Sequence, residues 1–126
     1  MQLRTEADGL VRKPASPNSP VVTVLFGGEE GGPDVGLVRV VVPAGAAMPT
    51  HKHNGSDVIL TPVEGFVRIV KGEESIDVHV GDSALVLKDE AVSLSNPGDE
   101  TAHLLVAAGP ADFIAGVRSW PEPSTV

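Results

Sequence analysis

Cysteine is absent from the sequence. That absence excludes disulfide frameworks, thiolate metal sites, iron–sulfur clusters and cysteine nucleophiles together, and it suits a reducing cytoplasm. Basic residues are scarce: 9 Lys and Arg stand against 17 Asp and Glu, for a net charge of −8. A phosphate-binding surface needs clustered lysine and arginine, and the longest basic run here is Arg12-Lys13. Aromatics are as few, with 3 Phe, 1 Trp and no Tyr, so a base-stacking platform is missing too. These features argue against nucleic acid as a partner. No apolar run is long enough to span a bilayer. Met1–Leu10 is mixed and polar, without the apolar region of a signal peptide. The expectation is a cytoplasmic protein with no membrane partner. The sequence also lacks a P-loop, a G-x-S-x-G elbow and a G-x-G-x-x-G turn after a strand. Gly27-Gly28 and Gly31-Gly32 flank Glu29-Glu30, in an acidic loop that repels phosphate.

Valine-rich runs and turn residues are what the chain does have. Its 14 Gly and 11 Pro are spread between apolar stretches, as turns between short strands are. A length of 126 residues is one domain, large enough to bury a core without metal or disulfide. Residues 1–20, with Pro14, Pro17 and Pro20, are expected to form an extended arm, part of it pairing at a sheet edge. Residues 21–126 form the single domain. Strands are expected at Val21–Phe26, Val35–Val42, Val58–Val63, Phe66–Lys71, Ser75–Val80, Ala84–Leu87, Ala91–Ser95 and Thr101–Ala107. Pro62 marks an edge or a bulge. In the fifth strand Ile76, Val78 and Val80 alternate with Asp77 and His79, so His79 should face solvent. Strands this short and regular define an all-β sandwich or barrel. After Pro110-Ala111-Asp112, Phe113, Val117 and Trp120 recur at helical spacing, and Pro121 and Pro123 stop the run. That pattern predicts a short C-terminal capping helix.

His51-Lys52-His53 carries the most chemistry. Residues two apart in a strand share a face, so both imidazoles can reach one ion. Asp57 follows four residues after His53, past the Asn54-Gly55 turn. Two histidines and a carboxylate form the facial triad of non-haem iron, and manganese, nickel or zinc accept the same donors. His79 and His103 are lone strand histidines, and such residues are ordinarily surface or locally hydrogen-bonded groups. His103 on the last strand is a spare ligand.

These residues resemble the cupin superfamily. Its first motif, G-x5-H-x-H-x3-E-x6-G, is matched by Gly45, His51, His53, Asp57 and Gly65, with aspartate for glutamate and seven residues rather than six before the glycine. Its second, G-x5-P-x-G-x2-H-x3-N, falls on Gly81, Leu87, Asp89, Val92 and Asn96, keeping the spacing but losing the proline, the inner glycine and the histidine. The similarity runs from Val35 to Ala107. It implies a cupin-type double-stranded β-helix, or jelly-roll barrel, whose lumen holds a metal site. It also implies that Val92 stands where a histidine ligand belongs. Three readings stay open: an ion held by His51, His53, Asp57 and water; a substitute ligand such as His103; or a pocket with no ion.

Val92 and Leu94 share a face, which in the family looks inward and lines the pocket. The resemblance then implies a divalent transition metal (iron, manganese, nickel or zinc) and a dioxygenase- or lyase-like activity on a small oxygenated compound, with no separate catalytic base evident. The alternative is a non-enzymatic cupin that binds a small ligand or serves a regulatory or structural role. A homodimer is expected, because Val21–Phe26 and Val35–Val42 look too apolar to leave one side in water, unless the arm or the C-terminal segment covers them.

Overall fold

The computed structural model describes residues 1–123; residues 124–126, the end of the expected domain, lie outside the described residues. Ten strands and a short helix follow in order: β1 Leu10–Arg12, β2 Val21–Phe26, β3 Gly36–Val42, β4 Ala47–His51, β5 Asp57–Glu64, β6 Phe66–Lys71, β7 Glu74–His79, β8 Ala84–Val86, β9 Val92–Ser95, β10 Ala102–Gly109 and α1 Asp112–Arg118. They make two antiparallel sheets. One has six strands in the order β1-β2-β3-β10-β5-β8, the other four in the order β4-β9-β6-β7. This is the expected jelly roll.

Period-two alternation builds the interior. Val38, Val40 and Val42 of β3, Val58 and Leu60 of β5, and Leu104 and Val106 of β10 face in from the larger sheet. Val67, Ile69, Val78, Val92 and Leu94 face them from the smaller one. Most of these side chains are β-branched, stiff at χ1 and suited to a pleated surface. The predicted alternation in β7 holds only for Val78; Ile76, on this edge strand, is 47% exposed although it pairs with the buried Ile69.

The arm is tied down. β1 pairs antiparallel with β2, Leu10 facing Val24. Arg4 donates to the carbonyl of Leu25 at 2.7 Å. Gly9 lies so close to β2 that a Cβ there would come within 2.3 Å of Thr23 Cγ2. The outer face of β2 is thereby covered, which is why four successive residues of it are buried.

The bulge expected near Pro62 is present: Leu104 faces Pro62 but His103 faces Glu64, so Val63 is the extra residue. β8 pairs only with Val58–Leu60, so Pro62 sits beyond that ladder and its missing N–H breaks nothing there. Gly65 has φ +71, and a Cβ on it would approach Ala102 Cα at 3.0 Å, so both backbone angle and crowding require glycine. The C-terminal helix buries Ile114 and Val117; the expected Phe113 and Trp120 pack less deeply on its flanks.

Asn96, the asparagine of the second motif, is 1% exposed. Its Nδ2 donates to the carbonyls of Val42 and Glu100, and its Oδ1 accepts from Gly98 N–H. It joins the end of β3 to the β9–β10 turn. Asn96→Ala strands those groups and is expected to cost about 2–4 kcal/mol, read as a shifted urea midpoint at unchanged slope. A loss below about 1 kcal/mol would show that the turn is held by other contacts.

Candidate functional site

His51 ends β4, directly across the ladder from Val92 of β9. Between Met48 and His51 the register slips: Met48 faces Leu94, so three steps along β4 match two along β9. Three steps in a regular strand would put Met48 and His51 on opposite faces. The bulge at Pro49-Thr50 cancels that, and both side chains line the space between the sheets. The bulge also orients the ring, since His51 Nδ1 lies 2.7 Å from the carbonyl of Pro49. A carbonyl only accepts, so the hydrogen sits on Nδ1 and a neutral ring keeps a lone pair on Nε2.

His53 lies past the strand, in a turn closed by Ser56 N–H donating to the His53 carbonyl. It is 6% exposed, and its Nδ1 is buried with no hydrogen-bond partner. The two imidazoles meet edge to face with centroids 4.8 Å apart. Phe113 of α1 approaches His53 in the same way at 4.9 Å. Burial, and then the neighbouring His51, lower the His53 pKa to about 4, so its ring is neutral at pH 7. Ser56 links the two parts of this end of the barrel. Its fully buried hydroxyl donates to the carbonyl of Pro110 and accepts from Phe113 N–H at 2.9 Å, fastening the histidine loop to the start of α1.

The barrel interior behind the pair holds a narrow cavity of about 50 Å³, lined by valine, leucine and isoleucine, with Val92 and Leu94 among them. Outside lies a broader groove of about 500 Å³ between the β4–β5 loop, α1 and Pro14–Ser16. Met48, His51, Phe113, Val117 and Trp120 line both, so they form the partition between groove and interior.

Asp57 does not join the pair. It is exposed at the outward-facing start of β5, and its carboxylate accepts from Lys88 N–H at 3.0 Å. The inward residue is its neighbour Val58, 0% exposed. Leaving six residues before Gly65 falls on Val58 rather than Asp57, which moves the extra residue of the first motif to the stretch between His53 and Val58. His103 is not a substitute ligand either: it lies on the outward face of β10, with Nε2 3.2 Å from Glu64 Oε2. His79 is exposed and stacks on Phe66, with ring centroids 5.0 Å apart. Among the described residues no group of three or more His, Asp or Glu comes together to hold an ion. The inward Val58 and the phenyl ring of Phe113 were not read from the sequence as part of this site; strand phase counted back from Gly65 carries the signal for the first.

Two antiparallel sheets closed around an inward-facing histidine pair define a small jelly-roll barrel with a pocket at one end. The cupin domain model matches residues 38–108, more than half of the chain, and the chain belongs to the cupin family. No curated protein sequence matches it. Solved structures share its fold. TT1209 of Thermus thermophilus is 23% identical with a TM-score of 0.67, over 87% of this chain and 98% of that one. A predicted oxalate decarboxylase of Thermotoga maritima is 17% identical with a TM-score of 0.70, over 86% and 99%. An oxalate oxidase in complex with the substrate analogue glycolate is 20% identical with a TM-score of 0.70, over 86% of this chain and 59% of that one.

The residues present do not fit a resident metal ion. Beside His51 and His53 the pocket has Val92 where the second motif has its histidine, Asp57 faces outward, and valine methyls ligate nothing. Two imidazoles remain.

The low pKa of His53 has a consequence for folding. The unfolded chain binds a proton near pH 6.5 that the folded chain refuses down to about pH 4, so stability falls as pH drops through that window. The loss from His53 alone is expected to reach about 2–3 kcal/mol by pH 4.5. Urea unfolding of wild type and His53→Gln at pH 7 and 4.5 isolates it: the variant should lose that much less. Equal losses would mean that His53 titrates normally.

Proposed function

We propose that this cupin binds a small organic molecule without metal chemistry, the place of a metal centre being taken by an apolar pocket with two imidazoles at its mouth. The observation that carries this reading is Val92, inward and directly across the ladder from His51 where the second motif has its histidine, together with Asp57 turned outward onto Lys88 N–H. The pocket has the usual composition of a ligand site, apolar walls with a few polar atoms. A metal-dependent dioxygenase- or lyase-like activity on an oxygenated compound needs at least one more ligand, which neither Asp57 nor His103 supplies.

Metal analysis tests this. Wild type incubated with iron(II), manganese, nickel or zinc and then desalted is expected to retain well under one equivalent. The double variant Val58→Glu/Val92→His should retain about one, with a lower melting temperature than wild type when apo and a metal-induced rise that wild type lacks. Stoichiometric metal on wild type, lost in His51→Ala, would overturn the reading.

The reading includes a homodimer. The arm covers β2, but the outer face of the larger sheet keeps an apolar row across β8, β5, β10 and β3: Leu85 beside Ile59, Ile59 beside Ala107, Ala107 beside Leu37. Leu85 is 62% and Ile59 46% exposed. A second copy would bury this row from both sides. Light scattering at micromolar concentration is expected to give 26 kDa, twice 13.0 kDa, and Ile59→Glu to return it to the monomer mass. A wild-type monomer would refute the dimer.

A further inference from the structure

We infer that the pocket takes an uncharged alcohol, its short aliphatic body inside the barrel and its hydroxyl between His51 and His53. The inference rests on the small-ligand reading and specifies the ligand.

Three observations carry it. First, no Lys, Arg, Asp or Glu is among the described residues lining the cavity. A carboxylate or an ammonium would be buried there with no opposite charge, which is strongly unfavourable. The oxalate oxidase relative is described with glycolate, a carboxylate; this pocket offers such a group no cation.

Second, the two imidazoles ask for different things. His51 spends its Nδ1 hydrogen on the Pro49 carbonyl, so its Nε2 needs a donor. His53 is 6% exposed and its Nδ1 has no protein partner. A buried polar atom left so is costly and calls for a partner. A hydroxyl donates one hydrogen bond and accepts others, so a single group can serve both rings. A ketone or an ether only accepts and leaves His51 Nε2 unmet.

Third, the space fits a slim molecule. The interior cavity of about 50 Å³ is room for a few waters or a short chain, and its deeper walls are Val22, Val40, Leu60 and Leu104. The imidazoles lie at the mouth, where His51 also borders the outer groove. The apolar end therefore goes in first.

The test is a titration of wild type, by calorimetry and by backbone amide NMR shifts, with the n-alkanols from methanol to hexanol. The alkanoate, alkylamine and methyl ether of matching length serve as comparisons. Affinity is expected to rise about fourfold per methylene until the lumen is full. The charged and ether analogues should bind at least tenfold more weakly. Val92→Phe, or Met48→Phe if that variant does not fold, should abolish the response by filling the cavity. Alkanoates or ethers binding as tightly as alcohols, with shifts still centred on the lumen, would overturn the alcohol assignment while leaving a ligand pocket. No binding by any member of the series would overturn the assignment and count against the small-ligand reading as well.

Discussion

Two sheets can close on each other here because nearly every inward position carries a side chain of similar, modest size. Valine dominates those positions on both sheets. A β-branched side chain has few rotamers to lose on burial, so stacking many of them costs little conformational entropy. The same regularity leaves little free volume, and the residual cavity is narrow. The imidazoles enter the pocket where the alternation stops, at the end of β4 and in the turn after it. The position of the histidine pair is thus set by where strand geometry gives out.

Much of the architecture was legible because alternation and punctuation agree. Valine runs bounded by glycine and proline marked β2, β3, β5, β6, β9 and β10 nearly to their ends, and the proline-flanked segment marked α1. β4 was not read as a strand of its own. Its sequence, Ala47-Met48-Pro49-Thr50-His51, has a central proline and little β-branched character, and it is mostly exposed. It exists because β9 offers it a partner, which is a tertiary fact rather than a local one. Ile114 was passed over for the same kind of reason: helical spacing alone does not say which of two adjacent apolar residues faces the core.

The sequence pointed to two neighbouring imidazoles, which the structure brings together, and to Asp57, which it places on the outward side. Counting forward from His53 selects Asp57, the nearest acid. Counting back from Gly65 selects Val58. Only the phase of β5 decides between them, and that phase is fixed by Val58 and Leu60 pointing inward. Chemistry drew attention to the aspartate; packing turned Val58 inward instead. The contribution of α1 was out of reach, because it depends on Ser56 bridging two segments more than 50 residues apart in sequence.

The β4 bulge leaves the site indifferent to which residues form it. Pro49 and Thr50 are exposed, and the histidine takes only a backbone carbonyl from them, so most replacements of Thr50 would pass unnoticed. Deleting it would restore a regular ladder in which Met48 and His51, then two steps apart, still share the inward face. What would change is the carbonyl two residues before His51 that holds its ring, which would come from Met48 instead of Pro49. A lineage of such chains would be expected to vary freely in letters at these two positions and to keep His51 inward even where one of them is lost.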